Sequence, residues 1–175
     1  EELAKKYDTN KFEELILINL GGGNRWQYKK WTKEGYTELI NMISSAHPAK
    51  GVGVIGGEEE KDFYDEVIKG INPADNIIKF GCSNTTDDFI CIVFLFDKIF
   101  TSDSLCIHLA CALYKYCVVV PGPTSHTELD VFGNGKVVYS GEVDCLCCYL
   151  NRCDKSVTCM NTLYAKDILK TLITS

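Results

Sequence analysis

Residues 100–124 read FTSDSLCIHLACALYKYCVVVPGPT. Phe100 and Thr101 end a short apolar run, and Ser102, Asp103 and Ser104 supply three small polar residues. LCIHLACAL follows, apolar at nearly every position except His108, and CVVV then closes in PGPT. The order predicts a strand, a tight polar turn, a packed helix over 104–114 and a second strand over 117–120. A polar turn between a strand and a helix presents backbone N–H groups and the positive end of the helix dipole. Phosphate oxygens favour both. The same turn also serves simply to start a helix, with Ser104 as the cap.

Outward from this stretch, strands and helices alternate. LILINL (15–20) reads as a strand ending in Gly21-Gly22-Gly23. Thr32 can cap a helix whose Tyr36, Leu39, Ile40 and Ile43 recur at helical spacing. GVGVI (51–55) is a second strand, and a helix over 58–69 follows with carboxylates in its first turn and Gly70 past its end. NIIKF (76–80) is a third. TTDDFICIVFLFDKIF has the β-branched and aromatic content of a strand, yet Thr85-x-x-Asp88 has the form of a capping box. The residues alone leave this run ambiguous between a strand and a helix over 86–96 followed by a strand through Phe100. KVVYS (136–140) is the sixth strand, and Tyr164, Ile168, Leu169 and Leu172 give a last helix over 164–173 its apolar face. Such alternation implies parallel β-α-β units with right-handed crossovers. The expected fold is α/β, a Rossmann-like doubly wound parallel sheet of about six strands.

The chain has 175 residues, enough for one domain with a single core. No repeat, linker or low-complexity segment divides it. Charged residues make up 24% and apolar residues 46%, as in ordinary globular protein. A net charge of −6 and a pI near 5.1 offer no basic stripe to a nucleic acid. The longest apolar run, Phe89–Phe96, is far short of a membrane span. No signal peptide opens the chain, and the missing initiator Met suggests a piece of something longer. Residues 1–14 are charged and begin as a helix, a lead-in segment ahead of the domain.

Ten cysteines divide into two groups. Cys82, Cys91, Cys106, Cys111 and Cys117 lie in or beside apolar runs, where a reduced Cys behaves as a small hydrophobe. The others crowd between 145 and 159. Clear strand and helix patterning does not suit a secreted disulfide scaffold, so the compartment reads as reducing and cytoplasmic. Cys145, Cys148, Cys153 and Cys159 follow C-x2-C-x4-C-x5-C, a spacing whose thiolates could hold a structural tetrahedral Zn²⁺. The other reading is a loop braced by packed or redox-labile thiols.

Gly21–Gly23 follow a strand, but the pattern G-G-G-N-R-W is not G-x-G-x-x-G, and no acid closes the next strand. A nicotinamide fingerprint is therefore rejected. Arg25, Lys29 and Lys30 follow, flanked by Trp26 and Trp31. Cations there can reach a diphosphate outside the carboxyl edge of the sheet, or can form a solvated basic loop. Glu58, Glu59 and Glu60 complement a helix dipole at the least. A His such as His108 in an apolar helix is most often hydrogen-bonded within the core. His126 follows a strand-end turn near the same edge.

The motif D-S-x-x-x-H-L-A-x-A-L, a strand and then x-G-P-T resembles the donor-binding half of bacterial heptosyltransferases of glycosyltransferase family nine. Three further blocks match in the same order: NLGGGNRWQYKKW (19–31), VIGGEEEKDF (54–63) and DCLCCYLNRCDKSVTCMNTL (144–163). The resemblance runs from about Leu15 to the C-terminus, includes a helix at 86–96, and implies the C-terminal half of a two-domain GT-B glycosyltransferase. In that family a lysine of the pattern R-W-x-x-K-x-W contacts donor phosphate, which here is Lys29. A Glu after the Gly-Gly of the second strand bonds the donor ribose, and Glu60 fits that spacing with Glu59 a near competitor. The turn at Asp103 and Ser104 grips the diphosphate, with Leu105 standing where the family commonly has Gly. His108 lies beneath that turn. Asn24, Arg25, Asn84 and Thr124 complete the implied donor set.

The implied reaction is inverting transfer of a sugar, ADP-heptose being the expected donor, to a lipid-linked saccharide, with no catalytic metal. The catalytic base and acceptor surface belong to an N-terminal domain that these residues do not contain. The implied location is cytoplasmic, including the inner face of the cytoplasmic membrane. Two other functions stay open: another nucleotide-sugar enzyme such as an epimerase, and a non-catalytic nucleotide-binding module with a Cys-bound structural metal.

Overall fold

The computed structural model describes residues 2–23 and 27–174. Six strands form one sheet: β1 (Glu14–Asn19), β2 (Lys50–Ile55), β3 (Ile77–Gly81), β4 (Lys98–Ser102), β5 (Tyr116–Val120) and β6 (Gly135–Val137). Their order across the sheet is β3-β2-β1-β4-β5-β6, and every neighbouring pair is parallel. This is the doubly wound Rossmann order.

The central strands β1, β2, β4 and β5 are largely apolar between their ends because helices cover both faces, while β3 and β6 expose Lys79 and Lys136. Successive side chains point to opposite sides, so Ile16, Ile18, Val52, Val54, Phe100 and Val118 enter one core. Leu15, Leu17, Ile99, Cys117 and Val119 enter the other. The first core is closed by α2 (Lys33–Ala46), α3 (Lys61–Gly70) and α6 (Ala165–Ile173), and the second by α4 (Thr86–Leu95) and α5 (Leu105–Ala112). A short helix, α1 (Glu2–Lys6), leads in and brings Tyr7 against Phe80. Gly53 marks the tightest approach of α4's end to the sheet. A Cβ there would lie 2.3 Å from the Phe96 ring.

Helix starts carry their expected caps. Thr32 Oγ1 accepts from Gly35 N at 3.1 Å. Thr85 and Asp88 form the reciprocal box at 3.1 and 3.2 Å, which is why the β-rich run after it is helical. Several boundaries and burials depart from the sequence reading. The sixth strand stops at Val137, and the third helix opens with a 3-10 turn over Glu58–Glu60. Tyr164 precedes α6 as its exposed cap, and Ala165 takes its place in the core. Cys91 is exposed on α4 and is not core.

At the amino edge of the sheet, Glu14 gathers two lysines. It pairs with Lys50 and, at 3.2 Å, with Lys98. Residues 138–164 contain no helix or strand. That long segment is tied back to the loop after β5 by Tyr149 N donating to Pro123 O at 2.9 Å.

Candidate functional site

Strands β1 and β4 lie side by side in the sheet, yet the chain leaves them toward opposite flanks. The crevice this creates at their carboxyl ends is where open α/β sheets take ligands. A cavity of about 400 Å³ opens there. Gly21–Gly23 after β1 and Gly56-Gly57 after β2 line it, with Asn84–Thr86 and Phe89 of the α4 start and Ser104–Cys106 of the α5 start. Three helical starts thus converge on one space: the 3-10 turn after Gly57, α4 behind Thr85 and α5 behind Ser104. The first N–H groups of a helix have no intrahelical acceptor, so such starts favour an anion.

Two lysines approach this edge from the segment after β1. Lys29 Nζ lies 2.6 Å from Asp103 Oδ2, with both side chains largely buried. Thr124 Oγ1 donates to the same carboxylate oxygen at 2.8 Å and lies equally near Pro121 O. Lys30 Nζ lies 2.9 Å from Glu60 Oε1, and Glu60 is 4% exposed. That carboxylate also accepts from Gly23 N at 3.2 Å and Gly57 N at 3.1 Å. It therefore clasps the two glycine turns to each other.

Gly122, at φ +65°, lets the loop after β5 press on the lysine segment. A Cβ there would fall 3.1 Å from Tyr28 O and 3.2 Å from Lys29 Cα.

Of the residues singled out in the sequence, Glu60, Asn84 and Ser104 line the cavity, and Lys29, Asp103 and Thr124 form one cluster beside it. Asn84 Nδ2 is turned to Phe80 O and Gly81 O, closing the turn after β3. Leu105 stands at the cavity wall with its side chain mostly in solvent, 58% exposed. His108 needs correction. It is exposed and does not line the cavity, because α5 buries Cys106, Ile107 and Ala110 and leaves 105, 108 and 112 on its outer side. Asn24 and Arg25 lie outside the described residues.

Sequence reasoning passed over Asn19, which lines the cavity at 4% exposure and bonds to Thr101, Ser104 and Gly21. A buried amide ending a run of aliphatic residues just before three glycines was the available signal.

The thiols divide as well. Cys106 reaches the cavity but is buried, and burial, offset in part by the Thr101 hydroxyl, pushes its thiol up to about 12. It is a neutral packing group at ordinary pH. Cys145, Cys148, Cys153 and Cys159 face a separate space of about 240 Å³ walled by Tyr28, Lys30, Pro123 and Met160. Burial and the three neighbouring thiols push Cys159 up to about 11. All ten cysteines are free thiols. Among the described residues, no three His, Cys, Asp or Glu side chains are placed to hold a metal ion. Cys147, outside the spaced set, meets His126 Nδ1 at 3.4 Å, and His126 stacks on Tyr139.

The fold is a doubly wound parallel α/β sheet with a ligand-sized crevice at its switch point. No protein-family profile and no curated protein matches the chain by sequence. Solved structures do match it in fold. The glycosyltransferase family 9 protein from Veillonella parvula superposes over 97% of this chain and 48% of its own, at TM-score 0.77 and 12% identity. Escherichia coli ADP-heptose lipopolysaccharide heptosyltransferase II does so over 98% and 50%, at TM-score 0.73 and 17% identity. E. coli heptosyltransferase WaaC, solved with ADP-2-deoxy-2-fluoro heptose, covers 91% and 42% at TM-score 0.64 and 17% identity. The chain thus spans half or less of the length of each of these three. Its neighbours include heptosyltransferases, and its sheet is the GT-B α/β type. No helix among the described residues is long and apolar enough to cross a membrane.

Proposed function

We propose that this chain is the donor-binding half of a GT-B glycosyltransferase that takes a nucleoside diphosphate sugar, ADP-heptose being the first candidate, for inverting transfer to a lipid-linked saccharide. The observation that carries the reading is the convergence of three helical starts and two glycine turns on one cavity at the switch point, with the Lys29–Asp103 pair beside it. Donated N–H groups and a nearby ammonium suit a diphosphate, whose charge grows as the sugar leaves. Two of the matched neighbours carry ADP or an ADP-heptose analogue, which supports ADP as the first nucleotide to try.

In this reading the diphosphate sits against Ser104 and its turn, and Glu60 and Asn84 flank the nucleoside. No general base is assigned to the chain. Asp103 accepts from Lys29 and Thr124, and Glu60 from Lys30, Gly23 and Gly57. Both carboxylates are thereby engaged as hydrogen-bond acceptors, a poor arrangement for taking a proton from an acceptor hydroxyl. Titration calorimetry with ADP, UDP, GDP and ADP-heptose tests the proposal. The expected result is binding of ADP and ADP-heptose ahead of the other two. Absence of binding by every nucleotide would overturn the reading.

A further inference from the structure

Asn19 ends β1 at the switch point, and its amide reaches across to the start of α5. Nδ2 lies 2.9 Å from Thr101 Oγ1 and 3.2 Å from Ser104 Oγ, while Oδ1 accepts from Gly21 N at 3.3 Å. The Gly21 N–H, a donor, sets which end of the amide faces which way. A third approach of Nδ2, to Gly21 O, is longer at 3.3 Å. Gly21 O is already supplied by the Ser102 hydroxyl at 3.0 Å, which leaves the amide protons to the two hydroxyls.

The consequence falls on Ser104. Its Oγ accepts from Asn19 Nδ2 and from Cys106 N at 3.3 Å. Two accepted bonds occupy both lone pairs of a hydroxyl, so Ser104 has only its proton left to offer. Thr101 Oγ1 stands 3.0 Å away, and its proton has in Ser102 O, at 2.9 Å, a better acceptor than the Ser104 hydroxyl or the neutral Cys106 thiol. The contact between the two hydroxyls is then made by Ser104 donating. An anionic oxygen in the cavity is a better acceptor than a neutral hydroxyl. A phosphate oxygen that approaches Ser104 Oγ on its Thr101 side competes for that same proton with little rotation about Cβ–Oγ, so the bonds from Asn19 and Cys106 are kept, and Thr101 keeps its bond from Asn19.

We propose that Asn19 is a positioning residue that makes the Ser104 hydroxyl a dedicated hydrogen-bond donor to the diphosphate. The inference rests on the donor-site reading above. It also explains a buried amide at a place where an aliphatic side chain would continue the strand. Reversing the polarity at the same shape should undo the effect. Asn19→Asp accepts where Asn19 donates, so the Ser104 proton turns inward to the carboxylate and away from the ligand.

The test is ADP affinity by calorimetry for the wild-type chain, Asn19→Asp, Asn19→Ala, Ser104→Ala and the double variant Asn19→Ala/Ser104→Ala, with near-ultraviolet circular dichroism as the check on folding. Asn19→Asp should weaken ADP binding by more than about tenfold, the scale of a charge-assisted hydrogen bond lost and a like charge added. Ser104→Ala should cost about tenfold in the wild-type background and about twofold or less when Asn19 is already Ala, because the two act as one unit. If Asn19→Asp does not fold, the alanine cycle alone decides. Additive losses in that cycle, or wild-type affinity in a folded Asn19→Asp, would overturn the proposal for Asn19 while leaving the donor site standing. A wild-type chain that binds no nucleoside diphosphate would remove both.

Discussion

Lys29 and Lys30 are adjacent in the chain and differ in what they do. The Lys29 ammonium is shared with Asp103 at the edge of the site, where a phosphate can draw on it. Lys29→Ala should weaken ADP binding by about 1.5–3 kcal/mol, the worth of a charge-assisted contact, with the fold retained. Calorimetry showing unchanged affinity would take Lys29 out of the site. Lys30 instead neutralises Glu60, both being nearly buried. Lys30→Met would strand that carboxylate, so urea unfolding should report a loss of about 3–5 kcal/mol.

In the sequence the family pattern picks out Lys29 as the candidate ligand and leaves Lys30 without a role of its own. The pairing that separates the two roles depends on which acid each meets across the sheet, and those acids lie 74 and 30 positions away in the chain. His108 was misplaced for a related reason. Helical spacing tells which residues share a side, but α5 is apolar nearly all round, and its packing against the sheet chose the side that holds Cys106 and Ile107.

Two features of the elements carry their own tests. At the amino edge, Glu14 joins the starts of β1, β2 and β4 through Lys50 and Lys98. Burial alone would raise its carboxyl, but hydrogen bonds and attraction from the two lysines outweigh that and hold it below the ordinary 4.5. A carboxyl lowered on folding adds stability above its unfolded value and loses it as pH falls through the folded one. Glu14→Gln should therefore destabilise the protein at pH 7, and the difference from wild type should shrink as pH drops below about 4.5. Thermal melts across that range check the sign.

At the opposite edge, Gly122→Ala puts a methyl 2.7 Å from Met160 Cε at a left-handed φ. It should cost about 1–3 kcal/mol and shift the Tyr28–Lys29 backbone, weakening ADP as well as lowering the melting temperature. Unchanged ADP affinity in a folded Gly122→Ala would show that the β5 loop does not set the position of Lys29. The glycine was visible in PGPT, but its neighbour Met160 lies in the cysteine-rich segment, which periodicity does not describe.

Taken whole, the chain should bind a donor nucleotide and transfer no sugar. Glu60 is the one carboxylate lining the cavity among the described residues, and it is fully engaged. Incubation with ADP-heptose and a lipid-linked saccharide should yield no product. Turnover by these 175 residues would show that the base lies within them. The alternation of apolar runs with polar and glycine turns was enough to set the strands, most of the helices and their parallel pairing, while the helix after Thr85 rested on its cap and on the family resemblance. The strands, those other helices and the pairing follow from local periodicity, cap chemistry and the hand of a β-α-β crossover. The polarity of the site was settled only by folding. Asn19 with Ser104, Lys29 with Asp103 and Lys30 with Glu60 meet across 85, 74 and 30 positions. Which donor faces which acceptor at such range is decided when β1 lies between β2 and β4, since no local pattern encodes contacts between segments that distant in the chain.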